Sequence, residues 1–86
     1  MPAIALFYGI AVRMYYDDHP PPHVHAYYGE HAARFDIRTG AVLDGGLPRT
    51  ATRLVQNWLD LRQDALMANW DRMERGMPFE RIEGLP

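Results

Sequence analysis

Three of the four histidines fall in one short stretch, Asp17 to His25, where His19, three prolines, His23, Val24 and His25 follow one another. On an extended strand, side chains at i and i+2 point the same way, with Cα atoms about 6.7 Å apart. That spacing lets His23 and His25 chelate one metal ion or work as an acid and base pair. His19 is the less certain member. If Pro20 to Pro22 runs as polyproline II, His19 lies roughly 12 Å from His23, near the limit for sharing a ligand. A cis proline or a tight turn would bring it closer.

These residues need elements to hold them, and the first half of the chain reads as strands. Ile10 to Tyr16 alternates, with Ile10, Val12, Met14 and Tyr16 on one face and Ala11, Arg13 and Tyr15 on the other. Residues 4 to 8 suggest a preceding strand, with Gly9 as a bend or bulge. His23 to Tyr28 alternates again, followed by Gly29-Glu30 as a two-residue turn that needs glycine first, and by His31 to Ile37 as the returning strand. A slip of one residue would exchange the faces of every side chain, so register can be tested against burial. A two-residue loop sets Tyr28 opposite His31, Ala26 opposite Ala33 and Val24 opposite Phe35, a mostly apolar face. It sets His25 opposite Arg34 and His23 opposite Asp36. A three-residue loop would put Val24 against Asp36 and is rejected. Thr39-Gly40 marks a further turn, Ala41 to Leu43 a short fourth strand, and Asp44-Gly45-Gly46 its end.

From Arg49 the periodicity is helical, with Val55, Leu59, Leu66, Trp70 and Met73 along one stripe. Pro48 suits the first turn, Gly76 the position past the end, and Asp71 and Arg75 an i,i+4 pair. One unbroken helix to Arg75 would be about 40 Å long. A domain of this length has a radius of gyration of roughly 12 Å, so a break near Gln63 to Ala65 is expected. The expected architecture is α+β: a small antiparallel meander of three to five strands packed on a C-terminal helical region. It forms a single domain over 1–86, with a β-rich half at 1–46, helices in 47–77, and a tail at 78–86 that is a short strand or an ordered cap.

The composition narrows the function classes. The 86 residues suit one hydrophobic core. Without cysteine, neither disulfides nor thiolate zinc sites are available. A formal net charge of -2 argues against a protein that coats nucleic acid non-specifically. All nine cationic residues are arginine, which fits base composition of the genome unless particular guanidinium groups converge on phosphate or carboxylate. No apolar run approaches the ~20 residues of a membrane span. Met-Pro-Ala-Ile-Ala-Leu-Phe carries no basic residue before its apolar run, so the expectation is a soluble, cytoplasmic chain.

The inferred sheet has an open face bearing Arg13, Tyr15, His23, His25, Tyr27, Arg34 and Asp36. Three readings of it stand side by side. In the first, His23 and His25, with His19 or Asp36 as third ligand, bind a divalent transition metal such as zinc. In the second, Asp36 orients His23 while Arg34 or Arg13 stabilises negative charge beside His25, an acid and base arrangement suited to RNA cleavage, with Tyr15 and Tyr27 stacking on bases. In the third, the face is solvated and inert, its histidines holding the proline turn. Trp58 and Trp70 read as core, and Asn69 and Asp71 as a solvated helix face.

Phe7-Tyr8-Gly9, Arg13-Met14-Tyr15-Tyr16, His19-Pro20-Pro21-Pro22-His23-Val24-His25, the Gly29 turn with Ala33-Arg34-Phe35, and Asn69-Trp70-Asp71 together resemble the bacterial family catalogued as domain of unknown function 4160. Members of that family are often encoded beside another small protein in what resemble toxin and antitoxin pairs. The resemblance implies a toxin-like role or a small cognate protein partner, and supplies no catalytic residues. The leading expectation is a component of such a module, with the open face as its site on RNA or a protein partner. A metal-binding protein or metal-dependent enzyme using His23 and His25 is the alternative. An interaction module working through a sheet edge or the tyrosine-bearing face, as a homo-oligomer or with a partner, is the third.

Overall fold

The computed structural model describes residues 3–86, so Met1 and Pro2, at the head of the segment read for a leader, lie outside the described residues. Five strands form one antiparallel meander: β1 (Ala5–Phe7), β2 (Ile10–Arg13), β3 (His23–Tyr28), β4 (His31–Asp36) and β5 (Val42–Gly46), in that spatial order. Two helices follow, α1 (Arg49–Leu61) and α2 (Gln63–Glu74).

Turn chemistry fixes the pairings. Tyr8 and Gly9 both have positive φ, 49° and 78°, the requirement of a two-residue type I′ turn, and they set Phe7 opposite Ile10. Gly9 is thus part of a hairpin loop, tighter than the bend or bulge expected. In the central hairpin the positive φ falls on Gly29, and the register is the one the apolar pattern demands, from Tyr28 opposite His31 to His23 opposite Asp36. The last strand differs from its expectation. It runs on through Asp44-Gly45-Gly46, because a register shift between Arg34 and Phe35 brings Gly45 against Ala32 and Ala33. A Cβ on Gly45 would stand 2.2 Å from the Ala32 carbonyl oxygen, and its φ is +71°, so only glycine lets the strand continue.

Val12, Val24, Ala26, Ala33 and Phe35 line the apolar face of the sheet and join Val55, Trp58, Leu59, Leu66 and Trp70 of the helices in one buried cluster. Full burial of a side chain such as Phe35 or Leu66 contributes about 1.5–3 kcal/mol over leaving it exposed. The helical segment breaks at Arg62 (φ -110°, ψ 24°), one residue before the stretch the length argument marked. The radius of gyration, 11.6 Å, leaves no room for an unbroken rod. Arg62 then turns its guanidinium onto the Glu83 and Gly84 carbonyls. At the far end of α2, Met77 N–H bonds the Arg72 carbonyl and Gly76 N–H the Met73 carbonyl, a Schellman stop with Gly76 at φ +69°.

The tail is an ordered cap. Ile82 is buried and donates its N–H to the Ile4 carbonyl, and the Trp58 indole donates to Glu83. Asn69, expected on a solvated face, is buried instead. Its amide donates to the Glu80 carbonyl and accepts the Glu80 N–H, both at 2.9 Å, and so clamps the tail to α2. No described helix is long and apolar enough to cross a membrane.

Candidate metal centre

His23 and His25 share a face of β3 as period-two geometry requires, and their rings lie 5.2 Å apart between centroids. Their surroundings differ. His25 is half-buried on the sheet, with the Tyr15 ring packed edge-on against it at 4.7 Å. His23 is only 2% exposed, because β3 begins where Trp70 of α2 passes over the sheet end, 5.3 Å from the His23 ring, and Pro22 is buried before it.

The residue that completes the group is Asp18, which the sequence argument did not single out. The β2–β3 connection turns at Asp17, whose φ of 66° is in the left-handed region that aspartate tolerates better than most residues. Asp18 then extends one carboxylate oxygen, Oδ2, to 3.3 Å from His23 Nε2 and 3.2 Å from His25 Nε2. The Pro20-Pro21 peptide in this connection is cis. His19 is exposed and stands outside the group.

Proton accounting for a neutral His23 leaves one atom of the cluster open. His23 Nδ1 lies 2.8 Å from the Pro21 carbonyl oxygen, which can only accept, so Nδ1 carries the proton. In the neutral ring, His23 Nε2 is then a bare lone pair facing a carboxylate oxygen. It is also the one buried side-chain polar atom among the described residues without a hydrogen-bond partner. Buried polar atoms are normally satisfied, and such an orphan calls for an explanation. With the ring neutral, Asp18 gives that lone pair no hydrogen bond, since two acceptors repel; only a doubly protonated ring could donate across the 3.3 Å to it. His25 has no such conflict: its Nε2–H donates to Asp18 Oδ2. Burial holds the His25 pKa below the ordinary 6.5, with the Asp18 hydrogen bond opposing, so the ring is neutral near pH 7.

A cation between the three atoms would resolve the conflict, with His25 giving up its Nε2 proton to Nδ1 or to solvent. His23 Nε2, His25 Nε2 and Asp18 oxygen all lie within 4.8 Å of one another, and they form the one such group among the described residues. Metal–ligand bonds of 2.0–2.1 Å arranged tetrahedrally put neighbouring donor atoms about 3.3 Å apart, which is the separation between Asp18 and each histidine. The Nδ1–H bond to the Pro21 carbonyl is of the kind that would orient a metal-bound imidazole. Three protein donors leave at least one coordination position for water or a ligand.

The remaining residues singled out from sequence sit around this group. Asp36 pairs with His23 in register, but its carboxylate turns away, accepting the N–H groups of Arg38 and Thr39 at 2.8 and 3.0 Å. Strand register fixes Cα partners and leaves χ1 free, and the Asp36 side chain takes the turn amides at the strand end. Arg13, His25 and Arg34 form one cross-strand row over β2, β3 and β4. Arg13 lies over the Tyr27 ring at 6.0 Å, and Arg34 Nε stands 3.7 Å from Asp44. The Tyr15 and Tyr27 hydroxyls meet at 2.8 Å. Burial and that bond push the Tyr27 pKa up to about 12, so the phenol stays protonated.

Comparison with known proteins adds one positive result. No curated protein and no solved structure matches the chain. A family model does, over residues 9–71, a span that takes in the whole cluster, the Arg13–His25–Arg34 row and the Asn69-Trp70-Asp71 segment. The chain therefore belongs to the family described as domain of unknown function (DUF4160).

Proposed function

We propose that this protein binds a divalent transition-metal ion of the zinc or iron(II) class through Asp18, His23 and His25, and uses its open coordination position to bind or activate a ligand. The observation that carries the reading is the orphaned His23 Nε2, buried and aimed at a carboxylate with its own proton committed to Pro21. Two imidazoles and one carboxylate suit zinc, and with open positions also iron(II). Such an ion supplies a Lewis acid or an acidified water. The test is elemental analysis and zinc titration of protein prepared without a histidine tag. One ion per chain is expected, lost in Asp18→Ala and His23→Ala. Unchanged zinc binding in both variants removes the reading.

A toxin and antitoxin type role, with RNA or a cognate protein on the open face, is a second reading. It is supported by the partly exposed row of Arg13, Tyr15, Tyr27 and Arg34 beside the metal ligands. Overexpression is then expected to arrest growth. Arrest that survives both Asp18→Ala and Arg34→Gln contradicts it.

A further inference from the structure

A hollow of about 200 Å³ lies on the open face against His25, one of the proposed metal ligands, walled by His25, Tyr27, Arg34 and Asp44 and floored by Ala32 and Gly45. The floor is low because the β4–β5 pairing sets Ala32 opposite Gly46 on this face, and Gly45 beside them carries no side chain. His25 belongs to both places. One edge of its ring reaches Asp18, and the ring itself forms a wall of the hollow. Arg34, its direct neighbour on β4, brings a guanidinium to the same space.

The charge of this space depends on the metal. Asp18 and Asp44 offset the two arginines of the row, and Asp36 adds a further negative charge at the next register position. A divalent ion on Asp18, His23 and His25 turns that balance positive. The partner Arg34 already has is loosely held: Asp44 is 72% exposed and 3.7 Å away, longer than a hydrogen bond, so its carboxylate is displaceable. Guanidinium groups match the planar or tetrahedral oxygens of carboxylate and phosphate.

We infer that the hollow is the ligand subsite of the metal centre and takes a small oxyanion, a phosphate or a carboxylate, held by Arg34 in place of Asp44 and drawn by the metal's charge. This rests on the metal reading above. Arg13, on the far side of His25, adds to the attraction without walling the hollow.

Cobalt(II) in place of zinc gives a visible spectrum that separates the two claims. Cobalt binding to the full chain is read first, and then inorganic phosphate and acetate are titrated into the cobalt-loaded protein. A saturable spectral change is expected with at least one of them, and the tighter of the two identifies the oxyanion. Arg34→Gln is expected to weaken that binding about tenfold or more, the value of one charge-assisted contact, with cobalt uptake unchanged. Asp44→Asn is expected to tighten it. A cobalt-loaded protein whose spectrum neither anion alters overturns the subsite and leaves the metal reading standing. So does an affinity that Arg34→Gln leaves intact, or one equal in metal-free protein measured by calorimetry. Failure of cobalt to bind overturns both.

Discussion

Among the described residues two polar side chains are buried, Asn69 on α2 and His23 at the start of β3, and they are treated in opposite ways. Asn69 has both ends of its amide satisfied by one backbone residue, Glu80, so its burial is complete as structure. His23 has one nitrogen satisfied by Pro21, and in the neutral ring the other faces Asp18 without a hydrogen bond. A polar group buried to hold a fold is closed by the backbone around it. One buried to hold a ligand keeps an atom open, and the difference can be read from the hydrogen bonds alone.

The contrast can be broken by experiment. The largest effect is expected at the open atom: His23→Ala or Asp18→Ala should lower zinc affinity by more than about a hundredfold, beyond what loss of an outer-shell contact does. Calorimetric titration measures it. The wild-type chain should gain about 2.7 kcal/mol of unfolding free energy at zinc a hundred times above its Kd, and these variants should gain less than about 0.4 kcal/mol. At the closed amide the pattern should reverse. Asn69→Ala is expected to cost about 2 kcal/mol in denaturant unfolding, two lost bonds at about 1 kcal/mol each, equally with zinc and with chelator. Trp58→Phe, which removes the indole bond to the tail carbonyl at Glu83 and leaves a cavity where the larger ring packed in the core, is expected to cost about 2 kcal/mol or more in the same assay.

The smallest effect concerns pH. His25 in the folded, metal-free chain has a pKa below 6.5, while in the unfolded chain it titrates near 6.5. The unfolded chain therefore binds the proton first as pH falls. The contribution of neutral His25 to stability is present above pH 6.5 and is lost as pH drops from 6.5 toward the lowered value. Unfolding curves in chelator across that interval should show it, and His25→Ala should flatten this part of the slope.

The parts of this arrangement that were legible in the sequence are those set by periodicity and turn chemistry. Gly29-Glu30 and the apolar pattern fixed the central register, and through it Arg34 as the neighbour of His25 on β4; Arg13, its neighbour on β2, was placed only on the same face. Gly76 and the length of the helical stretch foretold the stop and a break near Gln63 to Ala65, which falls one residue earlier at Arg62. Periodicity is silent where the chain is irregular. Asp18 lies in a connection with three prolines and no repeat, so nothing local showed that it would reach His23 and His25; the only signal was two carboxylates directly ahead of the histidines. The burial of His23 depends on where α2 crosses the sheet, a tertiary fact. Asp36 shows the converse: its register was right, and its side chain still went to the turn amides. Asn69 was read as solvated because its partner, Glu80, comes from a tail without pattern.

The most direct test of the central claim is the nitrogen resonance of His23 itself. In ¹⁵N-labelled, metal-free protein at pH 7, Nδ1 should carry the proton and Nε2 should resonate as an unprotonated nitrogen. One equivalent of zinc should then shift Nε2 of both His23 and His25 while the His23 Nδ1–H to Pro21 persists. A His23 ring protonated at Nε2, with neither histidine moved by zinc, would contradict the account.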